Sequence, residues 1–222
     1  ISTCIDSHDC VYAMNIYDLE TDHPRFDPPY LLFKLTKNGI YPQPPITQIL
    51  WSPDGKQISF GSNREGFLAI WQKGVNGNDG KEESVFKEDS RFIFQSDWSN
   101  DGNYLVYWKN GEKTASDLWL LPLSGDRQPK PYLTTQFNEA WGKVSPDGRW
   151  LVYQSNESGR PEIYVQTFPE PGRKVIVSKG GGTLPRWRRD GRELYYVAPD
   201  DKLMAVPVET GANVSVGTPV AL

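Results

Sequence analysis

The side chains best suited to chemistry are few. The only two histidines, His8 and His23, and the only two cysteines, Cys4 and Cys10, all fall near the start of the chain. A Ser-His-Asp hydrolase needs a nucleophile elbow, and no G-x-S-x-G occurs. Cys4, His8 and Cys10, with Asp6 and Asp9 between them, are the one grouping that could ligate a metal. A C-x3-H-x-C spacing lacks the two paired ligand sets of common zinc sites. The same cysteines could form a short local disulfide or stand as two free thiols, and the sequence leaves these alternatives open. Gly180, Gly181 and Gly182 are not followed by a helical pattern, so they offer no phosphate cradle, and no cofactor is implied. Acidic neighbours such as Glu82/Glu83 and Glu88/Asp89 define no glycosidase pair without distances. The expectation is therefore a chain with no catalytic residues and no metal of its own.

What must position any functional residue is a repeat. The phrase WSPDG at 51 to 55 returns as WSNDG at 98 to 102, VSPDG at 144 to 148 and WRRDG at 187 to 191. Its aspartates, Asp54, Asp101, Asp147 and Asp190, recur at the spacing of propeller blades. Pro sets φ near −65°, Asp accepts N–H bonds inside the turn, and Gly takes positive φ freely, so the aspartate is expected to be structural. Each turn precedes a period-2 alternation: Ile58/Phe60, Leu105/Tyr107, Leu151/Tyr153 and Leu194/Tyr196. In the first three copies a third strand then carries an aromatic, Trp71, Trp119 or Tyr164; the last copy has the shorter APDDK hairpin and LMAVPV. SVFKE, PYLTT, KVIVS and TPVAL supply fourth strands. Trp51, Trp98, Val144 and Trp187 are expected to fill the wedge between neighbouring sheets.

The fold expected is all-β: a β-propeller of four-stranded antiparallel blades, about five of them, or part of a larger ring. As one domain over 1–222, the blades fall at 1–36 (partial), 46–88, 94–135, 140–178 and 183–222. In the first, residues 1–3, VYAMN and YLLFKLT take the second, third and fourth places, with the inner strand missing. Composition agrees: 18 Pro, 20 Gly, 8 Trp, 11 Tyr and 9 Phe in 222 residues favour short strands and tight turns. No apolar run approaches the ~18 residues of a membrane span. A net charge of −4 argues against a nucleic-acid partner, and the one basic cluster, Arg186, Arg188, Arg189 and Arg192, is broken by Trp187 and Asp190.

The pattern WSPDG-x-x-I-x-F-x-SNR-x-G, Trp51 to Gly66, resembles the TolB-type propeller repeat. Phe137 to Gly172 and Gly180 to Val208 look most similar to the C-terminal propellers of bacterial receptor-like serine/threonine kinases. Val144 departs from the repeat's Trp, and Asn100 and Arg189 from its Pro. No kinase motif is present. The resemblance implies a periplasmic or extracellular sensor or interaction domain that binds a protein, small ligand or glycan. Its competitors are an accessory propeller of a prolyl-oligopeptidase-type hydrolase and a propeller polysaccharide lyase or glycosidase. The lyase reading is weakened because such enzymes gather several histidines at the channel, and the last four blades have none. Propellers commonly bind through the loops leading into the inner strands. Here those loops hold Arg91 and Phe92, then Asn138, Glu139 and Trp141, then Thr183 and Arg186, aromatics interleaved with charge.

Overall fold

The computed structural model describes residues 2–4, 10–15, 30–36, 39–42, 46–66, 68–75, 82–88, 93–111 and 116–222, with side chains from residue 49 onward. Among these residues there is no helix, hence none long and apolar enough to cross a membrane.

Twenty-one described strands form five antiparallel sheets in chain order. Sheet one is β1 (Ser2–Cys4), β2 (Cys10–Asn15), β3 (Tyr30–Thr36) and β4 (Gly39–Pro42). Sheet two is β5 (Ile46–Trp51), β6 (Gln57–Ser62), β7 (Ala69–Gly74) and β8 (Glu82–Lys87). Sheet three is β9 (Ile93–Trp98), β10 (Tyr104–Lys109), β11 (Asp117–Pro122) and β12 (Lys130–Leu133). Sheet four is β13 (Glu139–Val144), β14 (Trp150–Ser155), β15 (Glu162–Thr167) and β16 (Lys174–Ile176). Sheet five is β17 (Thr183–Trp187), β18 (Glu193–Val197), β19 (Leu203–Thr210), β20 (Val214–Val216) and β21 (Val220–Ala221). Each is a meander in which consecutive strands pair, except that β21 pairs with β19, and this is the propeller-blade arrangement.

Two of these sheets differ in detail from expectation. In sheet one, β4 pairs with β3 through Thr36↔Gly39 and supplies an edge strand the sequence pattern did not assign. In sheet five, TPVAL contributes only the two-residue β21, against Met204 and Ala205, while β20 pairs with Val208 to Thr210. Gly217 donates to the Pro207 carbonyl at 2.8 Å, and Pro219, which has no N–H to give a ladder, follows it; the fourth strand is split there.

The chain divides into two compact units, Ile1–Gln95 and Ser96–Leu222, with the boundary inside β9. In the first, Ile58, Phe60, Ala69 and Trp71 form a buried cluster. Trp51 lies outside that cluster and is 45% exposed, so it does not fill a wedge as the repeat suggested. The Arg64 guanidinium lies 4.5 Å above the Trp71 ring, a cation–π contact.

In the second unit the sheets stack face to face. Val106, Leu118, Leu120 and Tyr132 of sheet three meet Val144, Leu151, Tyr153, Tyr164 and Phe168 around sheet four. The other side of sheet four, Trp150, Val152, Ile163 and Val165, packs against Leu194, Tyr196, Val206 and Val208 of sheet five. Burial on both sides is why Val106 and Val152, between the alternating pairs, are as buried as the pairs themselves. Trp98 and Val144 are buried as expected, and Trp187 is half-buried against the second cluster. Gly142 is required by this closeness: an added Cβ would stand 3.0 to 3.3 Å from side-chain atoms of Val106, Leu118 and Leu151.

Candidate functional site

The repeated turns use up their own polar groups. In the fourth sheet Ser145 Oγ donates to Asp147 Oδ1 at 2.6 Å and accepts from the Trp150 N–H at 3.0 Å; Asp147 accepts from the Arg149 N–H at 3.2 Å. Ser52/Asp54 and Ser99/Asp101 repeat the same bonds. Burial works to raise the carboxyls of Asp101 and Asp147, but bonds led by those from Ser99 and Ser145 hold both below the usual carboxylate range. At the last turn Arg188 stands in the serine's place, and Asp190 accepts from the Arg192 N–H at 3.0 Å and lies 3.5 Å from Arg188 Nε. These aspartates build turns.

The side chains that do not repeat gather at the first strands of sheets four and five. Both carry a β-bulge, between Ala140 and Lys143 and between Thr183 and Arg186. The residue inside each bulge has positive φ, 61° at Trp141 and 54° at Leu184. Neither is glycine, and a non-glycine residue held in that region costs about 1 to 3 kcal/mol. Bulges re-aim the side chains around them. Here the Trp141 ring meets the Trp108 ring of sheet three, with centroids 5.6 Å apart.

Just before the first bulge, the Asn138 N–H donates to Asn156 Oδ1 at 2.8 Å. Glu139, 1% exposed, is tucked beneath the connection rather than on it, and its Oε1 accepts from the Thr135 hydroxyl at 2.5 Å. Burial pushes its carboxyl up to about 7; the charges of Asp117 and Glu157 add to this, and the Thr135 bond opposes it. The contrast with the next junction is instructive. Glu162 opens β15 as Asp117 opens β11, and it is satisfied by the Ser178 hydroxyl, by Arg160 Nε at 2.9 Å and by the Gly181 N–H. These bonds outweigh burial and hold its carboxyl below the usual range. Where the third-to-fourth junction has Glu139, the fourth-to-fifth has Gly182, whose Cβ would lie 2.9 Å from atoms of Ile163 and Tyr196. Gly181 and Gly182 thus serve close approach, and Gly180 and Gly181 have positive φ.

Past the bulges, the residues before the turn's Trp slot are Asp97, Lys143 and Arg186. Asp97 Oδ2 accepts from the Val144 N–H at 2.8 Å, and Lys143 Nζ lies 3.6 Å from Asp97 Oδ1 while donating to the Ser96 carbonyl. Trp187 Nε1 donates to the Lys143 carbonyl at 3.0 Å, pinning β17 to β13. Arg186 is exposed, with Nη1 donating to the Pro185 carbonyl at 2.8 Å. Burial raises the Asp97 carboxyl. It also lowers the Lys143 ammonium; Asp97 opposes that, and the positive charge of Arg186 reinforces it.

Of the seven residues singled out from the sequence, the second unit holds five. Asn138, Glu139 and Trp141 lie together before or within one bulge, and Thr183 occupies the matching place in sheet five, its Oγ1 3.4 Å from the Val197 carbonyl. Arg186 lies beyond its bulge with Lys143. Arg91 and Phe92 are outside the described residues. Cys4 and Cys10 face each other in the β1–β2 register. Sequence reasoning missed Asp97, Lys143 and Asp117; the signal for the first two was their shared place immediately before the repeat's Trp. Among the described residues no group of His, Cys, Asp and Glu is placed to hold a metal ion.

The five antiparallel meanders, three of them stacked face to face within the second unit, define a β-propeller-type protein. No protein-family model matches the chain, and no curated protein matches it. Among solved structures the chain is similar to TolB from Acinetobacter baumannii, with a TM-score of 0.65 and 23% identity over 87% of this chain and 50% of that one. It is also similar to a putative TolB from Agrobacterium tumefaciens, with a TM-score of 0.62 and 17% identity over 98% of this chain and 79% of the other. A prolyl endopeptidase structure aligns over 97% of this chain and 35% of its own length, with a TM-score of 0.57 and 16% identity. The chain thus spans about half the length of the Acinetobacter protein and has the fold of TolB-like propellers.

Proposed function

We propose that the chain is a non-catalytic binding propeller, an extracytoplasmic sensor or interaction domain of a receptor-like kinase or TolB-like envelope protein. One observation carries this reading. The repeated polar groups are consumed by their own turns, while polar and aromatic side chains that do not repeat collect along β13 and β17. Rigid strands that present such residues suit recognition of a protein, peptide or glycan. The likeness to TolB folds supports it, and the receptor-kinase attachment rests on the sequence resemblance alone.

The test is site-specific photo-crosslinking in bacterial cells with a benzophenone amino acid at Asn138, at Arg186 and, as control, at Glu209. Specific adducts at the first two positions and not at Glu209 are expected, together with no turnover of aryl glycosides, uronate oligosaccharides or peptide esters by the purified chain. Turnover, or equal labelling at all three positions, overturns the proposal.

A second reading, the accessory propeller of a prolyl-oligopeptidase-type hydrolase, is favoured by the endopeptidase alignment. The encoded sequence flanking this chain separates the two. A downstream domain with G-x-S-x-G supports the hydrolase; an upstream kinase domain with an apolar span supports the sensor.

A further inference from the structure

The backbone nitrogen that follows an asparagine can attack that asparagine's own side chain. Hydroxide takes the N–H proton, the nitrogen pair forms a bond to Cγ, the Cγ–Nδ2 bond breaks, and ammonia leaves with a proton from water. Water then opens the five-membered succinimide to aspartate or isoaspartate, so the net change is amide plus water to carboxylate plus ammonium. In a folded chain the reaction needs a free side-chain amide, a free N–H on the next residue, and no Cβ crowding that nitrogen, a condition glycine meets. The asparagines whose side chains are described divide on these conditions. Asn100 Nδ2 donates to the Pro146 carbonyl at 2.9 Å, and Asn103 Nδ2 to Asp101 Oδ2 at 2.7 Å. After Asn63, Asn138 and Asn156 the next N–H is engaged: Arg64 with Ser62 Oγ at 3.4 Å, Glu139 with the Ser116 carbonyl at 2.9 Å and Glu157 with Ser155 Oγ at 3.2 Å. Asn213 precedes Val214, a β-branched residue at the start of β20. Asn110 differs from them all. It is exposed, follows Lys109↔Asp117, the last pair of the β10–β11 ladder, and precedes Gly111. Among the described residues no hydrogen bond engages its side chain or the Gly111 N–H.

We infer that Asn110-Gly111 is a self-modifying site, converted by water without an enzyme to aspartate and isoaspartate at the exposed end of β10. The reaction adds a negative charge to a chain whose net charge is −4. The new carboxylate arises next to Lys109, whose Nζ lies 4.1 Å from the Trp119 ring centroid, and two residues from Trp108, whose ring meets Trp141. Isoaspartate also lengthens the backbone there by one methylene. Asn38 and Asn76 precede glycine as well but lie outside the described residues. The inference goes beyond the binding-domain reading and does not depend on it, since the chemistry needs no partner.

The test is incubation of the whole chain at mildly alkaline pH in heavy-oxygen water, followed by peptide mass spectrometry with a fragmentation that separates isoaspartate from aspartate. Heavy oxygen should enter at Asn110 at least about tenfold faster than at Asn63, Asn103 or Asn213, a ratio equivalent to ~1.4 kcal/mol of barrier. The rate should rise with hydroxide concentration, and the product should separate as an acidic species on anion exchange. Gly111→Ala should slow the reaction severalfold, because the new Cβ crowds the attacking nitrogen. Asn110→Gln, which would have to close a larger ring, should remove the labelled product at this position. Unfolding in urea frees the groups that protect Asn103 and Asn156, so both should speed up while Asn110 changes little. Labelling at Asn110 no faster than at Asn213, Gly111→Ala reacting at the parent rate, or urea accelerating Asn110 as much as Asn156 overturns the inference.

Discussion

Replacing Glu139 by Gln is expected to stabilise the protein at neutral and alkaline pH and to leave it nearly unchanged below about pH 4.5. The folded carboxyl keeps its proton up to about pH 7, against an ordinary value of 4.5, chiefly because it is buried and secondarily because Asp117 and Glu157 lie nearby. Between those two values the folded state binds more protons than the unfolded chain, so stability falls as pH rises. The neutral carboxyl's contribution is fully present below about pH 4.5 and is lost as pH climbs through 7. At roughly 1.4 kcal/mol for each pH unit of separation, the swing is about 3 kcal/mol. Gln keeps the size and the acceptor for Thr135 but never ionises, so it lacks that loss. Urea unfolding followed by tryptophan fluorescence, at intervals from about pH 4 to about pH 9, gives the two stability curves. The variant's advantage should grow from about pH 4.5 to about pH 7 and then level off. Parallel curves for the two proteins would show that Glu139 does not titrate in this range, and the reasoning from its burial would fail.

Three further outcomes are expected. Ser145→Ala leaves the buried Trp150 N–H without its acceptor and frees Asp147, so urea melts should show a loss of about 1 to 2 kcal/mol, whereas Arg188→Ala, at a turn already lacking the serine, should cost under about 0.5. Gly181→Ala combines a φ of +113° with a Cβ placed 2.5 Å from Pro199 Cγ, and should lower stability by about 1 to 3 kcal/mol or force the junction to move, seen as lost amide protection at Ile163 and Gly182. The direct register of Cys4 and Cys10 fits a cross-strand disulfide in protein exported to an oxidising compartment; a thiol assay on denatured, unreduced protein should then find no thiols, and two per chain would exclude the bond.

The turns were legible in the sequence because their bonds close within five residues, so the local text Ser-x-Asp-Gly contains the whole interaction. The alternating second strands and third-strand aromatics were legible for a similar reason: each face is set by period two. The bulges were not, because Trp141 and Leu184 take positive φ against their own preference and are held there by stacking of sheets distant in sequence. Nor was the Asp97–Lys143 pair, whose partners belong to different repeats. Glu139 read as a surface group since loops usually lie outside; its burial follows from the Thr135 connection folding over it. The split fourth strand of sheet five follows from Gly217 and Pro219, which the pattern match to TPVAL ignored.

The self-contained turn has a kinetic consequence. Each Ser-x-Asp-Gly hairpin gains its bonds from contacts of very low sequence separation, so first and second strands can join on the microsecond scale of hairpin closure, before any sheet has a neighbour. Docking of one completed sheet on the next is left as the slow event. Because each hairpin carries its own instructions, a sheet can be added or lost in evolution without rewriting its neighbours, and the residues free to diverge are those, like Lys143 and Arg186, that no turn requires.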